Sequence, residues 1–395
     1  MKKLLVSLPH GAPRRIGLTV SAIASAVLLI SACGAGSSGS SADDSEAAAA
    51  ACAAASEATT SVIGASPTEP VNGAALKGKS IWIIPVNNAG TVTQYINNMK
   101  AVAADLGAQV TTFDAKGSIP SAINGVNQAI AQGADVIVNI ALNPTLVEKV
   151  LTQAQAKGIK VIDVVNSQPG TPAPAGADAS VSWDYEGAGF ARTAQAICDT
   201  KGSLKAGFVS ADDIPVTALQ FSGVNRALKE LCPDTCSLET INVPSAQWAT
   251  GLAPAVTNLF QRNPDLNYLM PAYGAMNSPM AAAMKRINAG GKITVNAWDL
   301  QPELVGPLVS GEISSDVGAA FGALAYPTIY QSLRILNDQE PVEVAGSWRM
   351  VTSKLANELG LRADASPEAT QALIFGEDVV EGVDYKALWG TNLPR

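Results

Sequence analysis

Side chains suited to binding a neutral, hydroxyl-rich molecule recur where apolar runs of the sequence end. Asn87, Asn88 and Thr91 follow the run SIWIIPV, and Asn166 follows KVIDVV. Trp248, Tyr273, Asn277, Trp298 and Asp299 again follow apolar runs, Gln220 precedes a predicted helix, and Trp183, Asp184 and Phe321 complete the set of candidates. Aromatic rings supply broad apolar contact faces, while amides and carboxylates hydrogen-bond hydroxyl groups. The set predicts a ligand-binding site.

The same residue types also have purely structural uses. Asparagine and aspartate are good helix N-caps, and aromatic side chains fill cores and interfaces. The structural alternative is a cap for Asn87, Asn277 and Asp299, and a packing role for Trp183, Trp248 and Tyr273.

Charge and histidine content exclude several functions. The chain has 26 Lys and Arg against 34 Asp and Glu, and residues 1–32 hold four of the cations and no anion. A mature chain without those residues has 22 cations against 34 anions, a net charge of −12. No basic cluster remains to bind nucleic acid. The single histidine, His10, lies in the same segment, so triad hydrolysis and histidine-ligated metals are excluded.

The N-terminus has the pattern of a bacterial lipoprotein leader. Four basic residues precede the apolar stretch Ile16–Ala32, which is too short for a membrane span and ends in small side chains. The run Ile30–Cys33 resembles a lipobox and predicts acylation of Cys33. The alternative is an ordinary signal peptide with an incidental cysteine. Residues 33–75, rich in Ala, Ser and Gly, predict a flexible tether. The alternative is an alanine-rich helix around Glu46–Ala55 that takes no part in the fold.

Four cysteines follow Cys33, and exported thiols tend to pair. Cys232 and Cys236 lie four residues apart across a Pro-Asp turn, which favours a local disulfide. A bridge from Cys198 to either of them is the competing pairing. We expect no metal site, because this spacing supplies too few ligands.

From Lys79 onward, short apolar runs alternate with segments of helical periodicity. Four such strands precede the Pro- and Gly-rich stretch 166–180, and the same alternation resumes after it. The pattern predicts an α/β protein with two doubly wound, parallel-sheet lobes and a crevice at their strand ends. Gly187 and Gly189 lack the third glycine of a dinucleotide fingerprint, so no cofactor is expected.

Residues 79–352 resemble the type I periplasmic binding proteins, in particular the ribose-like sugar-binding branch that serves ABC importers. The resemblance is carried by VNNAGTVTQYINNMKAVAADLGAQV, GADVIVNIALNPTLVEKVLTQAQAKGIKVIDVVNS, NSPMAAAMKRINAGGKITVNAWD and LVSGEISSDVG, in this order. It implies a hinge of three crossings, near 166–181, 317–324 and 345–351. The implied N-terminal lobe comprises 76–167 with 320–345, and the C-terminal lobe 168–319 with 346–353. Residues 354–395 form an extension without an expected place.

The resemblance also implies site residues. Asn88 matches the family's first-loop asparagine, Asn277 the acidic residue of its Asn-Asp turn, and Asp299 the aspartate at a strand end. The family's Asp-Arg after the fourth strand is replaced by Val165-Asn166, and a usual arginine by Gln220. Such a cleft is poor in positive charge, which favours a neutral polyhydroxyl ligand over phosphates or carboxylates.

The implied function is a lipid-anchored solute-binding protein on the extracytoplasmic face of a bacterial membrane, delivering a sugar-like ligand to an ABC permease. We expect a monomer that binds neither nucleic acid nor a cofactor. The alternatives are the ligand-binding component of a membrane sensor, and an extracytoplasmic hydrolase using paired carboxylates.

Overall fold

A computed structural model describes residues 40–60, 63–88, 90–288, 290–376 and 385–390. The predicted leader, Cys33 and the first part of the predicted tether lie outside these ranges. No helix within them is long and apolar enough to cross a membrane.

Helices and strands alternate along most of the chain. The helices are α1 (Ser40–Thr60), α2 (Thr91–Asp105), α3 (Ile119–Ala131), α4 (Pro144–Gln155), α5 (Tyr185–Asp199), α6 (Val216–Leu231), α7 (Trp248–Arg262), α8 (Asn277–Ile287), α9 (Val305–Ser310), α10 (Ala325–Leu336), α11 (Ser353–Glu358), α12 (Pro367–Phe375) and α13 (Tyr385–Leu388). The strands are β1 (Ile63–Ala65), β2 (Ser80–Pro85), β3 (Gln109–Thr112), β4 (Val136–Ile140), β5 (Lys160–Val164), β6 (Ala179–Val181), β7 (Lys205–Ser210), β8 (Ser237–Asn242), β9 (Tyr268–Pro271), β10 (Thr294–Val295), β11 (Ala297–Trp298), β12 (Ser315–Ala319) and β13 (Ala345–Thr352).

The first lobe is built on a parallel five-stranded sheet in the order β3-β2-β4-β5-β6. Its central strands are buried on both faces, as their continuous apolar runs predict. Helices begin at local caps: the side chains of Ser118 and Asn143 accept the Ser121 and Thr145 amides, and a proline follows each cap within two residues. These caps fix where α3 and α4 start, and hence where the preceding strand-end loops point.

The second lobe combines two sheet sections. One is parallel, in the order β10-β9-β7-β8, and the other is mixed, in the order β1-β13-β12-β11. Backbone hydrogen bonds from Asn296 to Leu269 (3.2 Å) and from Ser314 to Val295 (2.8 Å) join them. The predicted all-parallel lobe is therefore wrong at one edge, because β13 runs antiparallel to both β12 and β1.

The segments linking the lobes lie side by side. Val165 donates its amide to Val181 (2.9 Å), Gly346 to Ser182 (2.8 Å) and Ala320 to Ser347 (3.0 Å). The predicted boundary at residue 167 is too early, since β6 at 179–181 still pairs with β5 of the first lobe. The chain passes to the second lobe after Val181.

The predicted flexible tether is wrong for the residues that the structure describes. Helix α1 packs against α5, with Ala51, Ala55 and Ala58 buried. A disulfide joins Cys52 of α1 to Cys198 of α5, and Cys232 pairs with Cys236. Alanine has the highest helix propensity, and its small side chain allows close helix approach. The competing bridge from Cys198 to Cys232 or Cys236 is not formed, because Cys52 occupies Cys198.

The first and last described segments of the chain contact both lobes. Strand β1 extends the second-lobe sheet, whereas Leu76 is fully buried in the core of the first lobe. At the other end α12 packs on β13, and its Gln371 donates to Gln94 of α2 (3.0 Å). Val71 donates its amide to the Leu388 carbonyl (2.7 Å), so α13 is held against the start of the first lobe. Part of the extension beyond residue 353 therefore contacts each lobe.

Candidate functional site

The strand ends of the two lobes meet around Tyr185. Its hydroxyl donates to the Val165 carbonyl of the first lobe (3.4 Å). Burial raises the pKa of Tyr185 well above its usual value, and negative charge on Asp299 and Asp163 raises it further. Side chains from both lobes are thus close enough to share one electrostatic environment. The sequence analysis missed Tyr185, which begins a helix directly after two candidates.

A row of five aromatic rings crosses the hinge beside this point. Successive ring centroids lie 5.0–6.1 Å apart: Tyr95, Phe321, Trp183, Tyr185 and Trp298. Trp183 is 3% exposed, Phe321 8% and Trp298 2%. A Cβ on Gly346 would come within 2.6 Å of Trp183, so the packing here is tight. These three predicted ligand contacts are built into the hinge, and the packing alternative describes Trp183.

The first-lobe candidates differ sharply in exposure. Asn87 and Asn88 are exposed, and the Asn88 side-chain oxygen accepts from the Thr93 hydroxyl (3.1 Å). Thr91 is buried at the start of α2, beside a small cavity that also touches Leu300 and Ile374 of the second lobe. Within the described residues, no hydrogen bond joins these asparagines to the buried polar groups described next.

A buried hydrogen-bonded group ends the central first-lobe strands. The side chains of Asn139 (2.8 Å) and Asn166 (2.9 Å) both donate to one oxygen of Asp163. Burial raises the pKa of Asp163 to about 7, and the hydrogen bonds from the two asparagines lower this pKa only in part. The other Asp163 oxygen and the Asn166 carbonyl have no partner in the described part of the chain. The group can therefore accept hydrogen bonds from hydroxyls.

Asp184 is a helix cap. Its carboxylate accepts the Gly187 amide (2.8 Å) and the side-chain amide of Gln168, which fixes the start of α5. Both bonds end on the same carboxylate oxygen. The observation favours a structural function for this candidate.

Gln220 and Asn277 carry the clearest unmet hydrogen-bonding demand in the second lobe. Gln220 on α6 is fully buried and Asn277 at the start of α8 is 8% exposed. Within the described residues, neither the nitrogen nor the oxygen of either amide has a partner. Buried polar groups are nearly always satisfied, and an unmade bond costs about 1–3 kcal/mol. Two unpaired amides are what a site for a ligand with hydroxyl groups requires.

Trp248 and Tyr273 form a half-buried stacked pair. Their ring centroids lie 5.7 Å apart, the Trp248 indole donates to the Val243 carbonyl (3.0 Å), and the Tyr273 hydroxyl bonds Thr217 (2.9 Å). Burial raises the pKa of Tyr273 far above its usual value, so the hydroxyl stays neutral. The pair presents an apolar surface with both polar tips already satisfied.

Asp299 lies on a left-handed turn. Its φ is +75°, and that of Leu300 is +36°, a conformation that non-glycine residues rarely adopt. Burial raises the pKa of Asp299 to about 8, aided by the negative charge of Asp316, while Arg192 and a hydrogen bond from Trp298 oppose the rise. Asp299 caps no described helix, so its cap alternative is wrong.

A buried cation lies behind this turn. Arg192 is completely inaccessible, donates to the Pro271 carbonyl (2.9 Å) and the Asn296 side chain, and lies 5.5 Å from the Trp298 ring. Both bonds come from Nη2, whereas Nε and Nη1 have no partner within the described residues. The second lobe therefore offers unpaired donors as well as unpaired amide oxygens.

Several of these groups escaped the sequence analysis. Asn139, Asp163, Asp316 and Arg192 are polar residues within apolar strands or on a buried helix face. Their signal in the sequence is the interruption of an apolar run, as in VIVNI and KVIDV. A polar residue inside such a buried strand could have identified Asn139 and Asp163 as candidates.

Taken together, two α/β lobes, a hinge of adjacent strands and unpaired polar groups at the strand ends define a ligand-binding protein of the two-lobed type. The model of the periplasmic binding protein domain matches residues 80–340, about two thirds of the chain. The chain belongs to this family of extracytoplasmic binding proteins, which confirms the predicted family, fold class and non-enzymatic nature.

Solved structures with the same fold support this assignment. A 5-methylthioribose transporter solute-binding protein from Thermotoga lettingae matches with a TM-score of 0.65 and 14% identity, covering 82% of this chain and 100% of its own. An ABC transporter solute-binding protein from Burkholderia graminis, in complex with D-arabinose, matches with a TM-score of 0.64 and 15% identity, covering 71% of this chain and 96% of its own. An ABC transporter solute-binding protein from Agrobacterium vitis, bound to α-D-tagatopyranose, matches with a TM-score of 0.64 and 19% identity, covering 72% of this chain and 97% of its own. A search of curated proteins found no matching sequence.

Proposed function

We propose that this protein captures a small, neutral, polyhydroxylated solute outside the cytoplasm and delivers it to an ABC permease. The observation that carries the proposal is the pair of buried amides on Gln220 and Asn277, neither of which has a partner among the described residues. A hydroxyl group donates and accepts at once, so a sugar or polyol would satisfy both amides. The proteins of similar fold that were solved with sugars and polyols support the ligand class.

Electrostatics support a neutral ligand. An anionic ligand needs a cation or several free N–H groups, and the buried Arg192 already interacts with the carboxyl groups of Asp316 and Asp299. A cationic ligand would need ionised carboxylates. The raised pKa values of Asp163 and Asp299 keep a large share of both carboxyls protonated, and hence neutral, near neutral pH. A protonated carboxyl both donates and accepts, which again matches hydroxyls.

The proposed site spans both lobes. Gln220, Asn277 and Asp299 would hold the ligand from the second lobe, with the Trp248–Tyr273 pair as its apolar wall. Asp163 and Asn166 would bind it from the first lobe, and Asn87, Asn88 and Thr91 would add contacts at the rim. Closure requires contacts from each side, since only a higher affinity for the closed state can shift the population.

Lipid anchoring at Cys33 is part of the proposal. It is supported by the lipobox-like run Ile30–Cys33 and the basic, apolar leader before it. Cys33→Ser is expected to release the protein from membranes or leave the unprocessed precursor. Radiolabelled palmitate incorporation and membrane fractionation test this, and unchanged labelling in the variant contradicts an anchor at this cysteine.

The ligand class is tested by thermal unfolding of residues 40–395 with a panel of D-arabinose, D-allose, allitol, tagatose, myo-inositol and 5-methylthioribose. A ligand present at 100 times its dissociation constant stabilises the fold by about 2.7 kcal/mol, which raises the melting temperature measurably. Glutamate, phosphate and lysine serve as charged comparisons. A shift with a charged solute and none with the panel overturns the proposed ligand class.

A further inference from the structure

Asp316 lies directly behind the turn that carries Asp299. It is completely buried on β12, and one carboxylate oxygen accepts the backbone amide of Leu300 at 2.9 Å. Its second oxygen has no partner within the described residues. A buried carboxyl that bonds the main chain of an adjacent loop holds that loop in place.

The turn needs such support. Asp299 and Leu300 both have positive φ, at +75° and +36°, and neither is a glycine. Residues in these regions persist only when the surrounding structure fixes them. The Asp299 amide donates to the Val317 carbonyl at 3.0 Å, so β12 holds the turn at two successive residues.

Arg192 completes the arrangement. It is buried beneath Trp298, and its attraction favours the charged forms of both Asp299 and Asp316. Asp316 in turn disfavours ionisation of Asp299. The groups that face Asp299 are Asp316 on β12, Arg192 and Tyr185 on α5, and Tyr273 after β9.

We propose that Asp316 is a positioning residue for the ligand site: its bond to the Leu300 amide holds the Asp299 turn in its left-handed form. The negative charge of Asp316 also disfavours ionisation of Asp299. Asp316 itself does not touch the ligand. The inference about affinity rests on the proposed function, whereas the inference about the turn does not.

Two variants separate the hydrogen bond to the Leu300 amide from the charge of Asp316. Asp316→Asn keeps a side-chain oxygen that accepts the Leu300 amide but removes the charge. Asp316→Ala removes both. Ser315→Ala is the matched control, because it alters the neighbouring buried residue of β12, whose side chain points to the opposite face of the strand.

Hydrogen exchange of the Leu300 amide in the ligand-free protein tests the turn. Protection is expected to persist in Asp316→Asn and Ser315→Ala and to fall at least tenfold in Asp316→Ala. NMR titration of the Asp299 carboxyl tests the charge, and its midpoint is expected at lower pH in Asp316→Asn than in wild type. A role in folding alone would lower melting temperatures without moving that midpoint.

Affinity is measured by calorimetry with whichever of D-arabinose, D-allose, allitol, tagatose, myo-inositol or 5-methylthioribose binds wild type most tightly. Asp316→Ala is expected to weaken binding about tenfold or more, and Asp316→Asn less than threefold at pH 6. Wild-type affinity in Asp316→Ala overturns the proposal, as does lost Leu300 protection in Asp316→Asn. An unchanged Asp299 midpoint in Asp316→Asn overturns the effect of the Asp316 charge. If no solute binds wild type, the proposed function fails, and exchange and titration still decide the role of Asp316.

Discussion

The two sides of the candidate site are prepared for a ligand in different ways. In the first lobe, one oxygen of Asp163 is held by Asn139 and Asn166, and only its other oxygen and the Asn166 carbonyl are unpaired in this group within the described chain. In the second lobe, Gln220 and Asn277 are buried with every side-chain polar atom unpaired within the described chain. The second lobe therefore bears the larger cost in the empty state and gains more when a ligand arrives. The difference predicts that second-lobe substitutions change affinity more than first-lobe ones.

The hinge between the lobes differs from both sides of the candidate site, because its aromatic side chains pack against one another. Trp183 and Phe321 have no exposed face large enough for a ligand, because three chain segments converge on them. Their aromatic character serves packing. A residue's type is the same in a ligand contact and in a hinge, and only its neighbours in the folded chain distinguish the two roles.

The largest expected effect is on stability. Trp183→Ala removes a ring that contacts Tyr185 and Phe321, and truncating a buried aromatic costs about 3–5 kcal/mol. Chemical denaturation should show this loss. Trp248→Ala is the matched control, because its ring is only half-buried, and it should lose less stability but more ligand affinity. If Trp183→Ala folds as stably as wild type and loses only affinity, the hinge assignment is wrong.

The second prediction concerns Gln220. In Gln220→Leu the unpaired buried amide is replaced by an apolar group of similar size, so the free energy of unfolding should rise or stay unchanged. Ligand affinity should fall about ten- to a hundredfold, equivalent to roughly 1–3 kcal/mol. Calorimetry and thermal unfolding on the same samples measure both effects.

Gln331 provides the matched control for Gln220. It is equally buried, but both ends of its amide are bonded to Val342, at 2.6 and 3.4 Å. Gln331→Leu should lower stability and leave affinity unchanged. Reduced stability of Gln220→Leu with unchanged affinity would show that Gln220 has a partner and is not a ligand contact.

The third prediction compares the lobes through pH. The pKa of Asp163 is raised by burial to about 7, above its unfolded value near 3.8, so the native state retains the proton longer than the unfolded state. Its contribution to stability therefore falls as pH rises from about 4 to 7, by at most about 1.4 kcal/mol per pH unit. Asp163→Asn keeps the shape and should flatten the wild-type loss of melting temperature over this range. An identical pH slope in the two proteins contradicts a protonated Asp163.

Much of the fold could be predicted because it depends on local pattern. The run 160–165 predicts a strand that the structure places at Lys160–Val164, and Asn143-Pro144 predicts the observed start of α4. Helix α1 could not be placed in this way. Its alanines favour a helix in any setting, and its attachment depends on Cys198, 146 residues further along the chain.

The candidate site was less predictable for a related reason. Position at a strand end made Asn277 and Asp299 candidates, but it could not separate them from Trp183 or Asp184, which are used by the hinge and by a cap. Gln220, expected before a helix, lies inside α6. Positive φ at Asp299 is also invisible in the sequence, because aspartate adopts ordinary conformations as well. Both the role of each candidate and the conformation of Asp299 depend on contacts with distant parts of the chain.

The smallest expected effect tests whether the exposed rim of the first lobe takes part at all. Asn88 accepts one hydrogen bond, from Thr93, and is exposed, so Asn88→Ala should change the free energy of unfolding by no more than about 0.5 kcal/mol. If closure brings this rim onto the ligand, affinity should nevertheless fall several-fold, because the lost contact exists only in the closed state. Thr93→Val removes the same Asn88–Thr93 bond without shortening Asn88 and separates the two effects. Equal affinities for wild type and Asn88→Ala would confine recognition to the buried groups of the two lobes.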